Sequence, residues 1–212
     1  MGLLKKFVNA KKAWGKQVPE KNRRVFKFKT HEAEIHLIRF KGKKRVIRVK
    51  GIGFLGKRTA RKKFLACKIF HTLFPENSIV PVGVASVKKN GLKHWGSVSE
   101  ILRGRSSEYK TYPQMFYEPK EEIRESTIHL RARYQKYADK IGEPFAKDLL
   151  EKTGISLDDA TPNFCIINEK PVFFEIRSIN SKKLKEYLKA EVKDEQTRKT
   201  VLKLLRKLKS PF

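Results

Sequence analysis

The sequence predicts an α+β protein in which a β-rich first part, containing one helix, precedes a mainly helical part that contains a β-hairpin. Short stretches such as EIHLIRF (34–40) and RVIRVK (45–50) alternate apolar and polar residues, as half-exposed strands do. Helical periodicity occurs once among the strands and repeatedly after residue 118. Strands and helices do not alternate along the chain, so we do not expect a doubly wound parallel sheet.

The β-rich part is predicted over residues 25–102 as a five-stranded antiparallel sheet. The turn signals KGKK and KKNG each separate two of the strands and indicate hairpins. The first hairpin has an outward face rich in Lys and Arg. Thr59 is the expected N-cap of the single helix, which Pro75 ends. The predicted elements are strands 25–29, 34–40, 45–50, 78–86 and 94–102 and a helix over 59–74.

The remaining segments are a basic N-terminal arm (1–24), a turn-rich linker (103–118) and a helical part (119–212). Gly154 is placed to end one helix in the left-handed conformation. NFCII and PVFFEI, around NEK, indicate a hairpin within residues 163–177. The predicted helices are 119–140, 145–154 and a Lys-rich 181–209, whose apolar stripe is Val201, Leu202, Leu205 and Leu208.

The charge distribution points to a polyanionic partner. The formal net charge is +28, and residues 1–70 hold 23 of the 50 basic residues but only three of the 22 acidic ones. Such a field repels itself unless an anion offsets it, and nucleic acid is the expected partner. We therefore expect RNA or a ribonucleoprotein, bound through its phosphates. The candidate contacts are Lys41, Lys43, Lys44, Arg45, Lys57 and Arg58.

Other features argue for a cytoplasmic protein with no membrane span. No run of 18 apolar residues occurs, and the N-terminal residues lack the apolar core of a secretory signal. Cys67 and Cys165 both lie in apolar stretches, which indicates buried free thiols in a reducing compartment. The sequence does not predict an oligomeric state.

A glycine-rich stretch, GIGFLGKR (51–58), lies between a predicted strand and a predicted helix. It matches G-x-G-x-x-G, and it nearly matches the phosphate-binding loop of nucleotide hydrolases. The preceding strand carries Arg48 and Lys50, whereas a central parallel strand is continuously apolar, so both dinucleotide-binding and nucleotide-hydrolase folds are disfavoured. Backbone amides, a helix N-terminus and nearby cations still suit a phosphate group. An ordinary glycine turn remains the alternative.

Taken in order, residues 25–178 resemble the protein kinase-like fold, closest to the small atypical kinases of the RIO type. The resemblance implies a two-lobed protein, with RVIRVK as the third strand of the small lobe and Lys50 as its phosphate-binding lysine. Glu100 would be the acidic residue that enters the hinge. Together with the glycines of the loop (Gly51, Gly53 and Gly56), these residues would bind ATP.

The stretch GISLDDATPNFCIINEKPVFFEI is similar to the catalytic loop and metal-binding hairpin of that fold. The resemblance implies Asp159 or Asp158 as the catalytic base, and Asn163 and Glu175 as ligands of Mg²⁺. Arg177 stands where the family has glycine, and the helix 59–74 has no glutamate to pair with Lys50. These departures imply an altered or lost phosphotransferase activity.

Two alternatives stay open for this protein. Residues 143–178 also resemble a PD-(D/E)XK nuclease core, with Asn163 in place of Asp and Glu175-Ile176-Arg177 in place of E-x-K. Upstream, Glu143 or Glu151 would supply a further acid, but arginine does not act as a base in a protein. The other alternative is a purely structural nucleic-acid-binding protein. The preferred hypothesis is a divergent kinase-like protein that binds RNA, with residual ATP binding or phosphotransfer.

Overall fold

The computed structural model confirms the α+β class and describes residues 16–17, 23–26, 33–50, 56–89, 92–101, 138–157, 164–167 and 170–210. The chain divides into two compact units. The first contains the described residues up to Phe64 and those from Val80 to Ile101, and the second contains Leu65–Ile79 and the described residues after 101.

The first unit is built on a curled six-stranded sheet. Its order is β1-β5-β6-β4-β3-β2, and every neighbouring pair is antiparallel except β1 and β5. A Cβ placed on Gly83 of β5 would lie 3.3 Å from the ring of Phe40 on β3, although two strands separate them, which shows the curl. The strands are β1 Lys16–Gln17, β2 Arg23–Phe26, β3 Ala33–Phe40, β4 Lys43–Lys50, β5 Pro81–Lys89 and β6 Leu92–Ser99.

The sheet differs from the sequence prediction at two points. It has one more strand than the five predicted, because β1 adds in parallel to β5; a strand of two residues is too short to show a period in sequence. The fourth predicted strand starts three residues late, at Pro81, since Ser78 forms a bridge with Phe173 instead. The two hairpins, β3–β4 and β5–β6, are confirmed.

One face of this sheet carries the apolar core of the first unit. Because alternate residues of a strand point to opposite faces, a period of two brings these apolar side chains to one face. Seven buried apolar residues from four neighbouring strands form the cluster, and the residues between them point to the other face. The members are Ile38, Phe40, Ile47, Val49, Ala85, Val87 and Val98.

The helix α1 (Lys57–Leu73) follows β4 and begins at Gly56. The carbonyl of Gly56 accepts hydrogen bonds from the N–H groups of Thr59 and Ala60, so the prediction of Thr59 as N-cap is wrong. Thr59 lies in the first turn, because the helix starts as soon as the chain leaves the glycine stretch. Cys67 is a buried free thiol, as predicted. The buried apolar side chains of the helix are Ala60, Phe64, Leu65, Ala66, Cys67, Ile69 and Phe70.

The second unit combines three further helices with two short β-pairs. The hairpin predicted around NEK is confirmed as β8–β9, whereas the pairing of β7 with β10 was not predicted. Gly154 ends α2 in the left-handed conformation at φ 72°, as predicted. The elements are a π-helical turn Ala138–Gly142, α2 Glu143–Thr153, β7 Ile155–Leu157, β8 Phe164–Ile167, β9 Lys170–Phe173, β10 Ile176–Ile179, α3 Ser181–Ala190 and α4 Glu195–Lys209. Of the predicted helix 119–140, residues 119–137 lie outside the described part of the chain.

The single C-terminal helix predicted over 181–209 is two helices. The chain breaks at 191–194 because the side chain of Asp194 accepts a hydrogen bond from the backbone N–H of Thr197, at 2.7 Å, and thereby starts α4. This bond lowers the pKa of Asp194. The cap therefore stabilises α4 above the ordinary carboxyl pKa and is lost as the pH falls through the lowered value. On the apolar stripe, Val201, Leu204 and Leu205 are buried, and Leu202 and Leu208 are half-buried.

Short polar contacts hold the hairpin β8–β9 within the second unit. The side-chain amide of Asn77, in the 3₁₀ turn Pro75–Asn77, donates to the carbonyl of Pro171 at 3.0 Å. Lys170 forms an ion pair with Glu76. Both contacts are at the turn end of the hairpin, where Lys170 is opposite Ile167.

Candidate nucleic-acid interface

The tip of the β3–β4 hairpin is a two-residue turn at Lys41 and Gly42. Both residues have positive φ, 50° and 76°, which is the backbone of the turn that fits the twist of two antiparallel strands. The ammonium of Lys41 lies over the ring of Phe40, 5.7 Å from its centre. This turn fixes the register of the hairpin, in which Phe40 is opposite Lys43.

The fixed register brings two like charges together beside the turn. Arg39 is directly opposite Lys44, and both side chains are exposed. Like charges in directly opposite positions destabilise a sheet. An anion bound between the two side chains would remove this repulsion, so the pair is a candidate phosphate contact.

Arg45 points to the other face of the sheet and is already engaged. Its guanidinium lies 2.9 Å from the carboxylate of Glu100, and only 15% of the Arg45 side chain is exposed, against 44% for Glu100. The backbone N–H of Glu100 also donates to the carbonyl of Val80. Arg45 and Glu100 therefore join the start of β4 to the residue after β6, and Arg45 is less accessible to a phosphate than its neighbour Lys44.

A second like-charged pair occurs at the end of the β5–β6 hairpin. Lys88 is directly opposite Lys93, and both side chains are exposed. Sequence reasoning missed this pair and Arg39. The signal was present, because in both hairpins the paired cations are five positions apart around the predicted turn. This five-residue spacing identifies a pair of facing cations only once the register of both hairpins is known.

The same face of the sheet carries an aromatic ring next to further cations. Trp95 is two positions from Lys93 on β6, so the two side chains share a face. The ammonium of Lys57, in the first turn of α1, lies 5.3 Å from the centre of the Trp95 ring. Arg58 is exposed beside Lys57, and Arg48, directly opposite Ser97, is half-buried.

We call this surface the cationic face and define it by Arg39, Lys44, Arg48, Lys88 and Lys93. The described residues of the first unit include 18 Lys and Arg but only two acidic residues, Glu34 and Glu100. Glu34 is directly opposite Val49, a member of the apolar cluster, in the β3–β4 register, and Glu100 is paired with Arg45. Within strands β3–β6, the cationic face therefore carries no acidic residue.

Most of the residues implied by the kinase resemblance fall outside the described part of the chain. Gly51, Gly53, Asp158, Asp159 and Asn163 are not among the described residues, and Lys50 is described only as the last residue of β4. Gly56 is described and caps α1, as given above.

The remaining metal-ligand candidates lie in two segments of the second unit. Glu175 is half-buried between β9 and β10, and Arg177 is exposed. Glu143 and Glu151 are both exposed on α2. Among the described residues, no three His, Cys, Asp or Glu side chains are grouped so that they could hold a metal ion.

Comparison with known protein families, curated protein sequences and solved structures found no match for this chain. None of the helices in the described residues combines the length and apolar character that crossing a membrane requires. The geometry of the cationic face is therefore the basis for a functional assignment.

Proposed function

We propose that this protein binds RNA through its phosphate backbone, using the cationic face of the first unit. The observation that carries the proposal is the pair of like-charged contacts, Arg39 opposite Lys44 and Lys88 opposite Lys93, on a face without acidic residues. Like charges directly opposite each other weaken a sheet, and a phosphate bound between Arg39 and Lys44 would reverse that effect. Lys and Arg side chains on an open sheet suit phosphate contacts, which position a nucleic acid without reading its bases.

RNA is favoured over other polyanions by the position of Trp95. An indole ring beside cations can stack on an unpaired base while the cations contact the adjacent phosphates. Lys41, Lys57 and Arg58 are exposed and would add contacts around the face, whereas the exposed Lys43 is opposite Phe40 and points to the other face, like Arg45.

The proposal is tested by removing two charges from the face and two from elsewhere. We expect Arg39→Gln/Lys44→Gln to lower the affinity for a labelled single-stranded RNA roughly tenfold at low salt, because two phosphate contacts are lost. Fluorescence anisotropy on protein freed of bound nucleic acid measures the affinity. The thermal midpoint should not fall, since the substitution removes a repulsion.

The matched control is Lys203→Gln/Lys207→Gln, which removes the same net charge from exposed positions of α4 in the second unit. Its RNA affinity should stay within about twofold of the wild type, because long-range charge effects are screened. Equal losses in the two double variants would mean that only net charge matters, and would refute binding at the cationic face.

A second candidate is a nucleotide-binding or phosphotransfer activity that requires ATP and Mg²⁺. It is favoured by the order of the elements in the first unit: a three-stranded meander β2–β3–β4, then α1, then a hairpin whose strand β6 pairs with β4. In this candidate, Lys50 holds phosphate, Asp159 or Asp158 acts as base, and Asn163 and Glu175 bind the metal. Calorimetric titration with ATP and Mg²⁺ should then show saturable binding that Lys50→Ala weakens, and no heat at millimolar nucleotide would exclude it.

A further inference from the structure

The two like-charged pairs lie on one face of the sheet but at opposite ends of it. Lys44 is next to the β3–β4 turn, where β4 begins, and Lys93 is near the start of β6, which runs antiparallel to β4. In the β4–β6 pairing, Val49 is opposite Gly96. Val49 lies five residues after Lys44 on β4, and Gly96 lies three residues after Lys93 on β6. At about 3.3 Å per residue, the two pairs are roughly 26 Å apart along the strands.

The space between the pairs also carries groups that suit a nucleic acid. Arg48 shares the face, four positions after Lys44, and is opposite Ser97. Trp95 lies two positions before Ser97 on β6, towards Lys93. It is half-buried, with the ammonium of Lys57 over its ring. The cations thus continue diagonally from β3 to β5, with one aromatic ring along the path.

Part of the cationic face is buried on β5, which restricts where a bound ligand can lie. Val84 and Ser86 belong to the same side of β5 as Lys88, but each is only 1% exposed. Between the two exposed pairs, the described residues of this face on β4 and β6 are half-buried, so a ligand would cross β4 and β6 and reach β5 at Lys88. A narrow chain can follow this diagonal, whereas a rigid duplex presents two backbones that a single row of cations does not match.

Building on the proposed RNA binding, we infer that the ligand is a single strand that crosses the cationic face diagonally, from Arg39 and Lys44 to Lys88 and Lys93. A stacked strand has one phosphate per about 3.4 Å, so a path of roughly 26 Å corresponds to about eight nucleotides. Trp95 stacks on an unpaired base near the Lys88–Lys93 end of the path, and Lys57 contacts a phosphate beside it.

The test combines oligonucleotide length with substitutions at each end of the path. Oligouridylates of about 4 to 16 nucleotides are titrated against the wild type, Arg39→Gln/Lys44→Gln and Lys88→Gln/Lys93→Gln. Affinity of the wild type should rise steeply up to about eight nucleotides and then only slowly. Each double variant should lose roughly tenfold in affinity for the longer oligomers, and a 4-mer should be bound weakly by all three proteins.

Four outcomes would overturn the inference. The path is refuted if the 4-mer binds as tightly as a 12-mer, or if only the Arg39/Lys44 variant loses affinity; in the latter case RNA binding stands but is confined to one end. A hairpin RNA duplex that outcompetes the single strand also refutes it. If neither double variant changes the affinity, the proposed function itself fails.

The stacking contact is tested at Trp95. Trp95→Leu should lower the affinity for oligouridylate several-fold while leaving inorganic polyphosphate binding unchanged, because polyphosphate has no base to stack. Trp95→Phe keeps an aromatic ring and should restore most of the RNA affinity. Equal losses for RNA and polyphosphate would mean that Trp95 only positions Lys57, and would remove the single-strand stacking step.

Discussion

Gly96→Ala is expected to lower the free energy of unfolding of the first unit by about 3 kcal/mol or more. A Cβ at this position would lie 2.3 Å from the carbonyl oxygen of Arg48 and 2.9 Å from a side-chain carbon of Ile47. Gly96 is on β6, between β4 and β5, and is paired with residues of both strands. The backbone cannot move away from Arg48 without breaking hydrogen bonds of the sheet that carries the cationic face.

Gly56→Ala is the matched control, since it adds the same methyl group. A Cβ on Gly56 would meet nothing within 4 Å. The effect should stay within about 1 kcal/mol, the range for replacing glycine at the start of a helix. Thermal unfolding followed by circular dichroism compares the two variants. If Gly96→Ala unfolds within a degree or two of Gly56→Ala, the close approach of β6 to Arg48 is wrong.

Lys44→Glu is expected to change stability and RNA affinity in opposite directions. In the free protein, a carboxylate at this position would face Arg39 and replace a repulsion by an attraction, which raises the stability by about 0.2–1 kcal/mol. In the complex, a phosphate contact is lost and a repulsion is added, so the RNA affinity should fall tenfold or more at low salt, by roughly the effect of two neutralised contacts. A protein that retains a destabilising pair for binding should show this combination.

Chemical denaturation and RNA titration of the same Lys44→Glu preparation measure the two effects. Lys203→Glu on α4 changes the net charge equally and should leave RNA affinity within about threefold. A loss of stability in Lys44→Glu, or an unchanged affinity, would contradict a functional role for the pair.

The sequence predicted the parts of the fold that depend on local period and on glycine. EIHLIRF and RVIRVK were recognised because their alternation extends over several residues, and the structure places strands there as β3 and β4. Gly154 was recognised as a helix end because few other residues adopt its backbone conformation. The start of α1 and the break before α4 were missed, because local sequence signals compete at both places. Gly56, not Thr59, starts α1, and Asp194 interrupts a sequence that is otherwise continuously helical.

The candidate interface could be predicted as a charge excess but not as a surface. Lys44 and Arg45 are adjacent and equally basic in sequence, yet the register sends Arg45 to Glu100 and Lys44 to the opposite face. Lys88 and Lys93 were not recognised because their proximity to each other, and their sharing of a face with Lys44, depends on three strand pairings at once. Spacing along the chain does not contain that information.

The salt dependence of RNA affinity tests the central claim most directly. Fluorescence anisotropy with a single-stranded RNA, at about 50 to 300 mM KCl, gives the slope of log affinity against log salt. Five to six phosphate contacts at about −0.7 each predict a slope of about −4, which the Arg39→Gln/Lys44→Gln variant reduces in magnitude by about 1.4. A slope near zero, or no binding at low salt, would contradict recognition of the phosphate backbone by the cationic face.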